Sequence, residues 1–149
     1  LGGDRKGLPG LHGPQGGDEI NRILSGRNYG WPLISYGCEY GSCSPIGDGT
    51  AQAGLEQPVI WWGPKSTAPS GLTFYQGNRY PDWRGDLFSG SLAGHTLWRL
   101  HMEGNRITSR QALLTGMGKR IRDVREGPDG WLYLLTDEEN GALLRLLRR

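Results

Sequence analysis

No run of about 18 apolar residues occurs in this chain, so no segment reads as a membrane-spanning helix. No block of lysine or arginine dominates it either. Seventeen basic residues stand against 15 acidic ones, and a net charge of +2 offers a nucleic-acid backbone little to bind. The nearest candidate, Lys119-Arg-Ile-Arg122, alternates in the manner of a strand. Cysteine is scarce: Cys38 and Cys43 are the only two. No second pair and no closely spaced histidines accompany them, which argues against a zinc site. In their Gly/Ser loop they either close a small disulfide, suiting an oxidising compartment, or remain two free thiols. No methionine starts the chain and no apolar leader follows Leu1, so the sequence reads as cut from a longer protein. Helix signals are poor throughout.

Glycine is plentiful, at 26 of 149 residues with nine prolines, and it is spread along the chain. That distribution indicates a turn-rich fold and not a disordered tract. Six Trp and six Tyr supply core bulk, and the length suits one domain. Short apolar runs between Gly, Pro, Asn and Asp clusters predict an all-β chain. Strands are expected over 71–75, 86–92, 96–102 and 106–114. In the third, Leu97, Arg99 and His101 share one face and Trp98, Leu100 and Met102 the other. The pattern recurs over 121–125, 131–137 and 142–147, with Gly127-Pro-Asp-Gly130 as a turn. Leu87-Phe88 aligns with Leu132-Tyr133, and Trp98-Arg99-Leu100 with Leu144-Arg145-Leu146. The offset of about 45 residues is the period of a four-stranded propeller blade. A β-sandwich with coincidental spacing is the alternative. At that period the chain makes about three blades, whereas propellers close with four to eight.

The segment His12-Gly-Pro-Gln-Gly-Gly-Asp-Glu-Ile-Asn21, followed by Asn28-Tyr-Gly-Trp-Pro32, joins a glycine-rich turn to two acids and a rigid aromatic corner. Glycines here permit unusual backbone angles or close approach to a ligand. Pro14 lacks an N–H, which leaves its carbonyl to face a cation. Asp18 and Glu19 are hard oxygen ligands of the type calcium takes. A solvated turn with two surface acids is the plain alternative.

Taken in order, these pieces and Pro45-Ile-Gly-Asp-Gly-Thr50, Ala68-Pro-Ser-Gly-Leu72, Arg120-Ile-Arg-Asp-Val-Arg125, Gly127-Pro-Asp-Gly130 and Leu135-Thr-Asp137 resemble a known family. The chain is similar to the C-terminal half of the soluble quinoprotein sugar dehydrogenases, the glucose/sorbosone dehydrogenase family, and most to its aldose sugar dehydrogenase branch. The resemblance covers residues 12–147 and leaves 1–11 as an irregular N-terminal segment. It implies part of a six-bladed β-propeller, pyrroloquinoline quinone (PQQ) and Ca2+ as cofactors, oxidation of aldoses at C1, and a periplasmic or secreted location. By resemblance, Arg120 and Arg122 contact the cofactor, and Ala68 and Trp62 pack against its ring. Trp61 competes with Trp62, because Gly63-Pro-Lys-Ser-Thr67 carries an extra residue. The backbone carbonyls of Gly13 and Pro14 would hold the active-site calcium. Asp18, Glu19, the Tyr29 carbonyl and Glu39 would form a second calcium site.

Three departures stand out. The family's catalytic histidine, a general base, belongs to the N-terminal half, and His12, His95 and His101 do not match it. His101 reads as structural and His95 as exposed. A cofactor-contacting lysine expected in a Ser-Leu-Lys pattern is replaced in Ser91-Leu-Ala93. Residues 3–10 read as loop where a strand is expected, suggesting a rearranged or truncated gene or a frameshift. Two functions follow. One is sugar oxidation, with a missing N-terminal half or a homo-oligomer completing the ring and no activity from this chain alone. The other is a truncated, non-catalytic propeller fragment that binds calcium or a ligand or serves as a scaffold.

Overall fold

The computed structural model describes residues 7–147, so the loop reading of 3–10 is tested only from Gly7 onward. Ten short strands and two single-turn 3-10 helices form its regular structure, as the glycine and proline punctuation requires. The chain divides after Ala68 into two compact units.

The first unit carries an antiparallel sheet in the order β1 (Gly10–Leu11), β2 (Asp18–Ile20), β3 (Ile60–Trp62). The expected loop therefore ends at Gly10, where β1 pairs Gly10 with Ile20 and Leu11 with Glu19. Pairing across the glycine turn creates this strand; its own side chains carry no strand pattern. Residues 21–59, between β2 and β3, contain no strand longer than an isolated bridge.

The second unit holds two antiparallel meanders. One is β4 (Pro69–Phe74), β5 (Leu87–Ser91), β6 (Leu97–Glu103) and β7 (Arg106–Leu113). The other is β8 (Ile121–Glu126), β9 (Leu132–Thr136) and β10 (Leu143–Arg145). The three sheets are blades of a β-propeller. The alignment at about 45 residues holds: Leu87 and Leu132 both lie in second strands, Trp98 and Leu144 both lie in third strands, and Leu146, aligned with Leu100, directly follows β10. The final sheet has the three strands read from 121–147, one fewer than a full four-stranded blade.

One core cluster joins the two meanders, with Phe88 and Leu97 from the first and Ile121, Val124, Leu132 and Leu134 from the second. Burying each such side chain stabilises the fold by about 1.5–3 kcal/mol. The inner strands β4 and β8 pass so closely that a Cβ on Gly71 would lie 1.8 Å from Asp123 Oδ1. Only glycine fits there.

The expected alternation in β6 is half right. Arg99 and His101 share a face, and both reach the buried Asp86, at 2.6 Å from Arg99 Nε and 2.8 Å from His101 Nδ1. His101 is thus structural, as its place in the repeat suggested. Leu97 and Leu100 point to opposite faces, yet both are fully buried. A propeller blade is covered on two sides, so a single buried face is not preserved.

Candidate functional site

The glycine-rich segment folds as a tight turn. Gly17 N–H donates to Pro14 O at 3.0 Å, and Gly16 takes a positive φ of 73° at the position where a type II turn needs glycine. The Pro14 carbonyl is therefore not free, as the sequence suggested, but keeps one lone pair beyond that bond. A Cβ on Gly13 would sit 2.0 Å from Gly17 O, so the turn closes only with glycine there. Two backbone bonds, Gln15 N–H to Cys38 O at 3.1 Å and Cys38 N–H to Gln15 O at 3.0 Å, tie the turn to the next loop. That loop is closed by a Cys38–Cys43 disulfide, which decides between the two cysteine readings.

Turn and loop enclose a cavity of about 560 Å³. Gly13, Pro14, Glu19, Tyr29 and Glu39, five of the six expected metal ligands, line it. Burial pushes the Glu19 carboxyl above its ordinary value, and an Asn21 amide donating to Oε1 at 2.7 Å acts in the opposite sense. Asn21 is fully buried, and its own Oδ1 has no hydrogen-bond partner. The Tyr29 hydroxyl donates to Arg22 O and accepts from Leu24 N–H, both at 2.7 Å, which pins the loop that carries its carbonyl. Trp31, Tyr36 and Tyr40 complete the wall, Trp31 being 64% exposed.

Asp18, the sixth expected ligand, has another task. Its Oδ2 accepts from Thr67 N–H at 2.6 Å and Ala68 N–H at 2.9 Å, and its Oδ1 accepts from Gly13 N–H at 3.2 Å. The residue is 2% exposed and does not line the cavity. It holds Ala68 in a left-handed conformation, φ 50°, which a non-glycine residue adopts only under such constraint.

In the second unit Arg120 and Arg122 converge on one carboxylate. Arg120 donates from Nε at 2.9 Å and from an Nη at 2.7 Å to Asp137 Oδ2. Arg122 reaches Oδ1 from Nε at 3.0 Å and from an Nη at 2.9 Å. The pair lowers the Asp137 pKa, the Arg120 hydrogen bond contributing most. Strand period two is not what brings the arginines together. Arg120 precedes β8, and the register shifts by one residue between Ile121 and Asp123, leaving Arg122 in a β-bulge without a pairing partner. Bulges re-aim side chains in this way and are frequent beside functional sites.

The family model for "Glucose / Sorbosone dehydrogenase" matches residues 10–145. The chain belongs to the glucose/sorbosone dehydrogenase family. It is 47% identical over 139 residues to the aldose sugar dehydrogenase YliI of Escherichia coli, covering 93% of this chain and 37% of that protein. It is 45% identical over 136 residues to an uncharacterized Synechocystis protein, covering 91% of this chain and 32% of that one. A crystal structure of a glucose dehydrogenase aligns with a TM-score of 0.88 at 49% identity, over 94% of this chain and 40% of that one. The apo-form of the soluble E. coli aldose sugar dehydrogenase gives 0.84 at 47%, over 91% and 39%. The chain thus spans about a third of the length of the curated relatives.

Within this family frame the remaining expectations sort themselves. Trp62 is 4% exposed, whereas Trp61 is exposed and stacks on Tyr36 with ring centroids 4.7 Å apart. His95 is exposed at a turn with φ 49°, and His12 borders the cavity. Among the described residues no three His, Cys, Asp or Glu side chains gather as a ready metal cluster, so a cation in the cavity would need backbone carbonyls beside Glu19 and Glu39. Neither 3-10 turn is long and apolar enough to cross a membrane. Sequence reasoning missed Asp137 as an arginine partner and Asn21 as the partner of Glu19. The Thr-Asp at the end of the β9 motif was the available signal for the first.

Proposed function

We propose that this chain supplies cofactor- and calcium-binding residues for PQQ-dependent oxidation of aldose sugars at C1. The observation that carries the reading is the Arg120–Asp137–Arg122 cluster. Each guanidinium is about half exposed, at 45% and 52%, and each spends its Nε-side edge on Asp137. The opposite edge carries no hydrogen bond among the described residues, and such an edge suits carboxylate and quinone oxygens. The cavity of the first unit has a largely apolar wall, and the oxygens at its border would suit a hard cation. It offers the Gly13 and Pro14 carbonyls and the Glu19 and Glu39 carboxylates, with the unpaired Asn21 Oδ1 beside Glu19. A bound cation would favour the ionised form of Glu19 and so oppose the effect of burial.

The quinone would supply the hydride acceptor for the sugar carbon, and calcium a Lewis acid to polarise that acceptor. Arg120 and Arg122 bind and orient the anionic ring. Glu19 and Glu39 neutralise and hold the cation, and Tyr29 fixes the loop between them. The proton of the sugar hydroxyl needs a base. His12 borders the cavity but does not match the family's base by resemblance, His101 is held by Asp86 and His95 sits on an exposed turn, so this reading takes the base from outside the chain. The disulfide suits a periplasmic or secreted location.

Calorimetric titration of the chain with PQQ, with and without calcium, tests the reading. Calcium-dependent binding that is lost in Arg122→Ala supports it. No binding by a folded chain would leave the second reading, a non-catalytic propeller fragment. In a dye-linked assay the chain alone is expected to show no sugar dehydrogenase activity.

A further inference from the structure

We infer that Asp137 is a positioning residue for the anionic cofactor, clamping two guanidinium groups by their sides so that their outer edges face the ligand together. The inference rests on the assignment of Arg120 and Arg122 to the cofactor.

The clamp is fixed at both ends. Asp137 N–H donates to Arg120 O at 2.9 Å, which extends the β8–β9 ladder one step beyond the Ile121–Thr136 pair. The carboxylate is thus placed by the sheet and not by a free chain end. Each oxygen takes one arginine, both through the Nε edge, so each guanidinium has a defined partner. Beside it Lys119 Nζ is 2.6 Å from Glu138 Oε2, an ion pair that keeps the second carboxylate occupied elsewhere. The bulge supplies the rest. Without the extra residue at 122 the two arginines would keep ordinary strand register, and the bulge frees Arg122 from it.

The idea makes a prediction opposite in sign to simple electrostatics. Asp137 is a negative charge beside a site for an anion, so removing it should strengthen attraction if charge were all that mattered. A clamp predicts the reverse, because two released arginines must be ordered again when the ligand binds.

The experiment titrates the full 149-residue chain with PQQ by calorimetry as wild type, Asp137→Asn, Asp137→Glu and Arg122→Ala, with folding checked by circular dichroism. Asp137→Asn is expected to bind roughly tenfold more weakly, the usual scale for losing a group that orients a ligand-binding side chain. Asp137→Glu should fall between it and wild type. Equal or tighter binding by a folded Asp137→Asn overturns the clamp and leaves the cofactor assignment standing. A wild type that does not bind, or an Arg122→Ala that binds as well as wild type, overturns the assignment and the clamp's role with it. The free wild-type chain provides a test that does not depend on any variant. Its Arg120 and Arg122 Nε–H resonances should be resolved and slow to exchange, and fast exchange at either would refute the clamp.

Discussion

Asp18→Asn separates an architectural acid from a metal ligand. The Asp18 carboxylate is buried and accepts three backbone N–H groups, from Thr67, Ala68 and Gly13. Asparagine keeps one oxygen and turns an NH2 toward donors, so at least one bond is lost and the others weaken from charged to neutral. A hydrogen bond to a charged acceptor contributes about 1.5–3 kcal/mol, and a neutral one about half that, which puts the whole loss at about 4 kcal/mol. Against a domain stability of roughly 5–15 kcal/mol this is a large fraction. At about 4–8 °C per kcal/mol for a unit of this size, the melting point should fall by roughly 15–30 °C. Urea unfolding followed by tryptophan fluorescence, once in a chelator and once in excess calcium, measures it. If Asp18 acts through the backbone, the loss is the same in both. Glu19→Gln should behave oppositely, with little or no loss in chelator but none of the calcium stabilisation, which is about 2.7 kcal/mol at a hundredfold excess over Kd. An Asp18→Asn chain within about 1 kcal/mol of wild type in chelator, or one whose deficit appears only with calcium, would refute the reasoning.

Other outcomes follow from the same geometry. Asp137 has a lowered pKa in the folded chain, so its contribution is present above the unfolded carboxyl value of 3.8 and lost as pH falls through the folded value. Acid unfolding monitored by circular dichroism should therefore be shallower at that end in Asp137→Asn. Tyr80 is raised above 10.0, mainly by burial. Its contribution is complete below that value and lost as pH rises through the folded value, so Tyr80→Phe should blunt alkaline unfolding. Removing the disulfide as Cys38→Ser with Cys43→Ser opens a very short loop and should cost about 2 kcal/mol by chain entropy, read as a shift in urea midpoint. Gly13→Ala forces a Cβ into Gly17 O and should abolish calcium-dependent stabilisation even where the chain still folds.

Much of the second unit was legible from period and punctuation. Its seven strands fall where alternation and turn residues put them, because strand period and the Glu103-Gly-Asn105 and Gly127-Pro-Asp-Gly130 turns are local properties. The first unit was not legible in the same way. β1 has two residues, and residues 21–59 form a cavity wall from turns, a disulfide and side-chain-to-backbone bonds, none of which leaves a periodic trace. Five of the six expected metal ligands do share one cavity, since turn chemistry and acid placement are readable together. Alignment of the loop left Trp61 and Trp62 as competitors for the cofactor ring, and strand pairing of Glu19 with Trp61 and Asp18 with Trp62 puts the two rings on opposite faces.

The sequence by itself determined the all-β class, the 45-residue blade period and the family. Those depend on composition, spacing and local backbone preference. Only the tertiary structure decided what each charge does. Asp18 and Glu19 are adjacent in the chain, yet one is turned inward to three amides and the other toward the cavity, because successive strand residues point to opposite faces. Arg120 and Arg122 are paired not by their spacing but by a bulge and by a carboxylate 15 residues beyond Arg122, delivered by the neighbouring strand. Orientation and partner choice are non-local, and a sequence records them only through the fold that brings the strands together.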